Sequence, residues 1–404
     1  MNSLNALNAL YTRTTALAYA QTERDESIDF LRGMAVVFMT VVHIEYFSAF
    51  SLLATERLGF VTAAEWFVIL SGLVLGKVGR SRLAHLGWTT TAWKSVARGA
   101  KLYLVNVALI LIPIVLQPVG FVKTASLTHF VDEATATVYP LYPVEGSRLE
   151  DWFNTVLLLR GGPHQAQVLG LYVVLLIFFV PLLLLAFRRL PSALLALSAS
   201  CALYVWHLFV PFRLSDMQFE NAFPVAAWQF PFVAGMFVGW FSNEAYLLFA
   251  SRFRRFLLYA VCATGAIVMF VLAQGHLDPF TPAWAKLQAL PHGAIDSLYL
   301  GYAQKNALGP LRLIDDLCLL VVLHAVLRSQ WRRIQPVAGW LLVPIGGAAL
   351  YCFVGHVVLV LIASQVLPFG LRPPSWIAGT AIHLGAIAAL WLMARYGPWR
   401  RWLR

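Results

Sequence analysis

An anion, a cation and an imidazole follow one another along the first long apolar stretch of the chain, residues 24–45. Arg32 and His43 are eleven residues apart. At about 100° per residue, a helix returns to within about 20° of the same face over that distance. Asp29 falls within about 40° of the same line, and Arg32 and His43 are about 16 Å apart along the axis. Ionisable side chains inside a membrane helix are costly and mark functional sites. The spacing therefore predicts a site along one face of the first helix.

His43 is the strongest candidate for chemistry. An imidazole exchanges protons near neutral pH, and transfer of an acyl group from a thioester to an alcohol needs a base that removes the hydroxyl proton. The alternative is a histidine that only bonds a neighbouring helix. Arg32 suits a phosphate or carboxylate, or it anchors the helix at the membrane surface. Asp29 either pairs with Arg32 or orients a basic group, and Gly33 permits close approach of a backbone or ligand.

Glu65 lies in the second apolar segment, TAAEWFVILSG. A carboxylate inside lipid needs a partner. We place it about six residues into its helix and His43 about ten residues from its own helix end, a difference in depth of about 6 Å. Glu65 is therefore predicted to bond His43 and hold its tautomer, as a carboxylate does in a triad. Glu45 is the rival, but two residues from His43 it points about 200° away on a helix.

Composition identifies an integral membrane protein. Of 404 residues 60% are hydrophobic and 12% charged, against about 25% charged in soluble domains. The net charge of +11 is explained by Lys and Arg in cytoplasmic loops, so it does not indicate nucleic acid. The four cysteines lie in apolar segments without a CxxC, and we find neither a metal-ligand spacing nor a phosphate-binding loop.

Ten apolar segments are long enough to cross a bilayer. With the N-terminus inside, the inner segments hold 21 of the 30 Lys and Arg residues and the outer segments nine, as the positive-inside rule expects. We therefore expect an all-α polytopic protein with both termini cytoplasmic. One membrane domain, 30–396, would lie between a cytoplasmic segment, 1–29, and a basic tail, 397–404. The two long outer loops, about 117–167 and 274–310, either carry function or only connect. The predicted segments are 30–53, 59–77, 97–116, 168–187, 191–210, 225–242, 256–273, 311–327, 339–363 and 376–393.

Polar side chains also interrupt the outer halves of later segments. Together they predict a substrate-binding cavity that is open to the outside. Taken singly, each residue is explained equally well by an interhelical hydrogen bond or a helix cap. The tryptophans fit an interfacial belt or a platform for sugar rings. The candidates are His207, Trp228, Gln229, Arg312, Asp315 and His356.

The run RDESIDFLRG at 24–33, with a histidine eleven residues after Arg32, resembles the opening of the membrane acyltransferase family 3. The second segment, AAEWFVILSG, is more particularly similar to its OpgC branch, the osmoregulated periplasmic glucan succinyltransferases. Later runs are similar to that branch too, although the likeness is weak in residues 120–165. These runs are WQFPFVAG (228–235), KNALGPLRLIDDL (305–317) and IGGAALYCFVGH (345–356).

The resemblance implies a ten-helix acyltransferase of the bacterial inner membrane. It would move an acyl group, succinyl or acetyl, from cytoplasmic acyl-CoA to a hydroxyl of an outer glycan, with acyl-CoA as co-substrate and no bound cofactor or metal. The histidine matching His43 is the expected catalytic residue and Arg32 acts with it, while Asp29 and Glu65 carry over by motif position. Either a monomer or a homo-oligomer is compatible with the resemblance.

Acyl-CoA is expected to meet basic side chains on the inner side. A succinyl group would also need a cation near His43, for which Arg312 or His356 is proposed without geometric support. The residues expected to bind the phosphates are Arg24, Arg32, Lys77, Arg80 and Arg98.

A transporter or flippase for a glycan or a proton-coupled solute is the rival interpretation. Buried histidines and carboxylates serve equally well in proton relays. The lack of visible internal repeats weighs against this class. A non-catalytic scaffold in glycan synthesis is a third interpretation, in which His43 would be dispensable.

Overall fold

The computed structural model describes residues 25–54, 56–132, 137–144, 146–275, 291–366 and 375–398. Helices dominate this part of the chain, as the composition predicts, and one antiparallel hairpin pairs His129 with Pro140 and Asp132 with Thr137. Most of the predicted N-terminal segment, including Arg24, and most of the basic tail lie outside the described residues.

The helices and strands are named in chain order. Three short 3-10 turns and three π turns join or extend them, at Gln117–Val119, His164–Ala166, Gln218–Asn221, Leu175–Phe179, Tyr299–Ala303 and Gln335–Gly339. The strands are β1, His129–Asp132, and β2, Thr137–Pro140. The helices are α1 Glu26–His43, α2 Ser51–Ala54, α3 Ala63–Leu116, α4 Ala125–Thr128, α5 Leu149–Leu157, α6 Gln167–Val174, α7 Val180–Ala186, α8 Leu190–Phe209, α9 Val225–Trp240, α10 Ser242–Leu248, α11 Arg252–Ala273, α12 His292–Leu298, α13 Pro310–Ile334, α14 Trp340–Gly347, α15 Ala349–Val366 and α16 Trp376–Tyr396.

Six helical segments of the described chain are long and apolar enough to cross a membrane, or up to seven if α9 and α10, bent by 74°, form one span. The α3 segment includes two predicted spans, divided where Gly87 takes φ 74° and ψ 173°. The first helix is outside the six, and its 18 residues contain Glu26, Asp29 and Arg32. The count of ten spans and the cytoplasmic termini remain predictions.

Two predicted spans are broken. The segment 30–53 does not continue past His43, because Ile44 caps α1 and Glu45 adopts φ 53°. That left-handed backbone cannot extend a right-handed helix. The prediction that His43 lies about ten residues inside its helix is therefore wrong: it is the last helical residue. The segment 339–363 is divided at Ala348, where φ −117° and ψ 29° separate α14 from α15.

The first turn of α1 is fixed by Asp25 at the N-cap. Its carboxylate accepts hydrogen bonds from the Ser27 amide, at 3.1 Å, and the Ser27 hydroxyl, at 2.5 Å, while Lys77 lies 3.5 Å away. Burial raises the pKa of Asp25, but the Ser27 hydroxyl and the Lys77 ammonium outweigh it and hold the pKa below its usual value. The ionised carboxylate caps the positive end of α1.

Glycines let the helices that carry the site pack backbone to backbone. A Cβ on Gly33 would collide with the Leu342 carbonyl of α14, and one on Gly346 with the Asp29 carbonyl of α1. The close approach predicted at Gly33 is thus made by the backbone of α14. Similar contacts join α3 to α9, as small residues at four-residue spacing do in membrane helices. The glycines concerned are Gly72, Gly76, Gly235 and Gly239.

Candidate functional site

Two histidines from distant parts of the chain meet at the end of α1. The Nδ1 atom of His43 lies 2.8 Å from Nε2 of His356, and the two rings stack with centroids 5.1 Å apart and planes inclined by 23°. His356 is fully buried in α15. His43 is only partly buried and is therefore the more accessible member of the pair.

The hydrogen bonds assign the tautomers. Nδ1 of His356 bonds the carbonyl oxygen of Phe353, and a carbonyl can only accept, so this nitrogen carries the proton. In neutral His356 the Nε2 atom then accepts, and Nδ1–H of His43 must be the donor. The remaining nitrogen of His43, Nε2, keeps its lone pair. That arrangement makes His43 a base whose orientation and tautomer are fixed through its other nitrogen.

A third histidine completes the cluster. The ring of His164 lies edge-on to His43 with centroids 6.0 Å apart, and its Nε2 atom is 3.4 Å from Oε1 of Glu45. Glu45 reaches it because the left-handed backbone after α1 turns its side chain away from the helical path. The carboxylate of the site thus approaches His164 rather than His43.

Tight loop geometry places His164. It follows Gly161, Gly162 and Pro163 in the GGPH run, and Gly162 has φ 133°. A Cβ at Gly161 would come 2.6 Å from the Leu141 carbonyl, and one at Gly162 2.6 Å from the side chain of Ile110. Sequence reasoning missed His164, although a histidine behind Gly-Gly-Pro at the start of an apolar helix is a readable signal for a constrained loop residue.

Lys305 was also missed. Its ammonium is close enough to His43 to act on it electrostatically. The turn that carries it is fixed by two buried side chains: the Trp228 indole donates to the Asn306 carbonyl at 3.2 Å, and the Tyr204 hydroxyl donates to the Leu308 carbonyl at 2.8 Å. A cation therefore lies close enough to the His43 imidazole to interact with its charge.

A cavity lies beside Arg32, about three turns along α1 from His43. It encloses about 490 Å³, its open mouth included, and its polar lining consists of Arg32, Ser71, Arg98 and Tyr172. The charges of Arg32 and Arg98 are close enough to interact, so the cavity is a positive pocket. The Phe67 ring lines it and stacks on Phe353 at 5.6 Å, linking the pocket to the histidine pair.

The other residues predicted to bind acyl-CoA do not line this cavity. Lys77 pairs with Asp25. Both terminal nitrogens of Arg80 bond Glu244 at 2.8 Å, and one also bonds the Trp240 carbonyl at 2.7 Å. Arg80 therefore forms an ion pair within the protein, and its contact with acyl-CoA stays a prediction. Arg24 lies outside the described residues.

Two predicted catalytic carboxylates are not near His43. Asp29 lies 3.7 Å from Arg32 and about 21 Å along α1 from His43, which supports the ion-pair alternative. Glu65 is the third residue of α3, not the sixth. Its carboxylate accepts from the Thr62 amide at 3.0 Å and the Thr62 hydroxyl, and from Arg312 Nε at 2.7 Å. The predicted Glu65–His43 bond is therefore wrong, because a helix cap and an arginine occupy the carboxylate.

Most predicted substrate-binding residues are buried and bonded to protein. Arg312 donates to Glu65 and, at 2.8 Å, to Glu56; Asp315 accepts from the Phe60 amide at 2.7 Å. Three other candidates also bond protein groups, and His356 is the one of the six that joins the histidine cluster; substrate binding by the other five stays a prediction. The Gln229 amide bonds Ser200, Trp228 anchors the Lys305 turn, and His207 accepts from the Phe212 amide.

No group of three His, Cys, Asp or Glu side chains within the described ranges is arranged to hold a metal ion. The chemistry that the described geometry supports is proton transfer at His43, with a positive pocket about three turns away along α1.

A family model described as OpgC protein matches residues 24–402, nearly the whole chain. No curated protein matches the chain. The matched range contains the three histidines, Glu45, Lys305 and the lining of the positive pocket.

Proposed function

Because the chain belongs to the OpgC protein family, we propose that it is a membrane O-acyltransferase that transfers a succinyl group from acyl-CoA to a glucan hydroxyl. The observation that carries this proposal is the Phe353–His356–His43 chain of hydrogen bonds, which leaves Nε2 of His43 as a fixed base. Its placement in the acyltransferase 3 superfamily, suggested by the sequence, belongs to the same proposal.

In this proposal, the end of α1 that carries Asp25 faces the cytoplasm at a bacterial inner membrane, and acyl-CoA enters there. Its phosphates lie at the Arg32–Arg98 pocket, since guanidinium groups suit phosphate oxygens. The pantetheine arm follows α1 past Phe67 and Phe353 and brings the thioester to His43. The glycan approaches from the opposite side, where Glu45 is 31% exposed.

The reaction needs one base and no covalent enzyme intermediate. The acceptor oxygen attacks the thioester carbonyl while Nε2 of His43 takes the hydroxyl proton. The carbon–sulfur bond then breaks, and the proton passes from Nε2 to the leaving thiolate, giving an ester and free CoA thiol. His356 keeps its hydrogen bond to Nδ1 throughout and so holds the imidazolium in place.

The defining experiment measures transfer of label. Purified protein in lipid nanodiscs is mixed with carbon-14 succinyl-CoA and a β-glucan oligosaccharide. Labelled oligosaccharide and an equal amount of free thiol are expected. Movement of oligosaccharide across proteoliposomes without covalent change would instead establish the transporter interpretation, which the buried ionisable groups also accommodate.

His356 is expected to act as a positioning residue. His356→Phe keeps a ring but removes the acceptor for Nδ1–H of His43, so kcat should fall about 10- to 100-fold, the scale known for partners that orient metal-bound imidazoles. His356→Gln places an amide oxygen near the same position and should recover much of the loss. Both are measured by labelled transfer against pH. Equal activity of the two variants would show that the hydrogen bond is unimportant.

Lys305 is expected to select the acyl donor. The distal carboxylate of a succinyl group needs a cation, and the earlier candidate Arg312 is occupied by two carboxylates. Lys305→Met should therefore raise the KM for succinyl-CoA about tenfold, the scale of one charged hydrogen bond, and leave acetyl-CoA unaffected. Competition between the two labelled donors measures the ratio. An unchanged ratio would remove Lys305 from donor recognition. Lys123→Met, at an exposed position in a different loop, is the control.

A further inference from the structure

The Glu45–His164 pair has no task in the transfer step described above. His164 Nε2 faces the Glu45 carboxylate at 3.4 Å. Its Nδ1 atom is buried and has no hydrogen-bond partner among the described residues. Buried polar atoms are rarely left without a partner, so each exception requires an explanation.

The carboxylate determines the state of this imidazole. An ionised carboxylate only accepts hydrogen bonds, so the proton of neutral His164 lies on Nε2 and the lone pair on Nδ1. The site then holds two imidazole nitrogens that accept, Nε2 of His43 and Nδ1 of His164, on rings whose centroids are 6.0 Å apart. Two such acceptors can bind two hydroxyl groups of one ligand.

An aromatic ring adjoins the second acceptor. Phe130 contacts His164 edge-on with centroids 5.3 Å apart, and 40% of its surface remains exposed. A sugar presents hydroxyl groups at its edge and C–H groups on its face, so hydroxyl acceptors beside an exposed aromatic ring match its two surfaces.

We propose that the Glu45–His164 pair binds the acceptor sugar through a hydroxyl other than the one that is acylated. This rests on the proposed function. The hydroxyl to be acylated bonds His43 Nε2, the second hydroxyl donates to His164 Nδ1, and Phe130 covers the sugar face. Glu45 is a positioning residue that keeps the proton of His164 on Nε2, and the acceptor is a polyhydroxylated ring rather than a simple alcohol.

Two substitutions at His164 separate hydrogen bonding from shape. His164→Phe keeps a ring and loses the acceptor, whereas His164→Asn places an amide oxygen near the Nδ1 position. The KM for the β-glucan oligosaccharide is expected to rise about tenfold in the first variant and less than about threefold in the second, with the KM for succinyl-CoA unchanged in both. Glu45→Gln is expected to raise the same KM, since an amide can donate to Nε2 and shift the proton to Nδ1.

Binding is measured separately from catalysis, by titrating the β-glucan oligosaccharide into nanodisc-embedded protein without acyl-CoA. His85→Phe, at an exposed position beside the Gly87 break, is the matched control. Weaker oligosaccharide binding in His164→Phe alone supports the proposal even if the wild-type protein transfers no label, in which case only the proposed function fails. Equal binding by wild type and His164→Phe, or a parallel rise in the KM for succinyl-CoA, would overturn it.

Discussion

Replacing His43 with alanine is expected to lower kcat for acyl transfer by about 100- to 10,000-fold, the range that general base catalysis contributes. The structure gives the reason: among the three clustered histidines, His43 is a partly exposed residue with one nitrogen fixed by a partner imidazole and the other left to act as a base. His356 is fully buried, and His164 is held by Glu45. Labelled transfer in nanodiscs measures the loss.

Chemical rescue distinguishes a missing base from a damaged fold. His43→Ala leaves a space that free imidazole can enter, so activity is expected to return in proportion to neutral imidazole and to follow its titration with pH. The His85→Ala variant serves as a control for general effects of losing a histidine. Unimpaired transfer by folded His43→Ala protein would contradict the mechanism and favour the scaffold interpretation.

Local spacing allowed part of the site to be predicted. The alternatives given for Asp29 included its ion pair with Arg32, and the basic character of the inner segments pointed to Arg98, which shares the pocket. The similarity to the OpgC proteins was confirmed by the family match. Each of these inferences needed only helical periodicity or a motif within one segment.

The partners of His43 could not be predicted because they depend on long-range packing and on one backbone torsion. His356 is 313 residues away in the chain, and no periodicity relates the two. A rotation of about 200° from His43 to Glu45 requires that the helix continue, whereas φ 53° at Glu45 ends it. Because of this torsion, the Glu45 carboxylate contacts His164.

The helix cap formed by Glu65 is readable from the sequence alone. The run Thr62-Ala-Ala-Glu65 has the spacing of a capping box, in which a Thr and a Glu three residues later exchange bonds at the start of a helix. That reading places Glu65 in the first turn of α3 and commits its carboxylate to the Thr62 amide. The second partner, Arg312, is 247 residues away and is visible only in the folded protein.

Glu65→Gln is accordingly expected to destabilise the protein rather than remove a catalytic group. Both side chains of the Glu65–Arg312 pair are fully buried, 2.7 Å apart. Removing Glu65 leaves the buried guanidinium of Arg312 with Glu56 as its ion-pair partner and one charged hydrogen bond fewer, at a cost of about 1–3 kcal/mol. Thermal unfolding in nanodiscs should show a lowered midpoint. The protein that remains folded should keep the wild-type pH profile of transfer, because Glu65 does not contact His43.

The exposed ion pair between Arg160 and Asp216 supplies the matched control. Its charged atoms are 3.4 Å apart, with side chains 44% and 82% exposed, so Asp216→Asn should change stability by less than about 1 kcal/mol. If Glu65→Gln instead lost transfer activity at an unchanged unfolding midpoint, the carboxylate would act in catalysis and its structural assignment would be wrong.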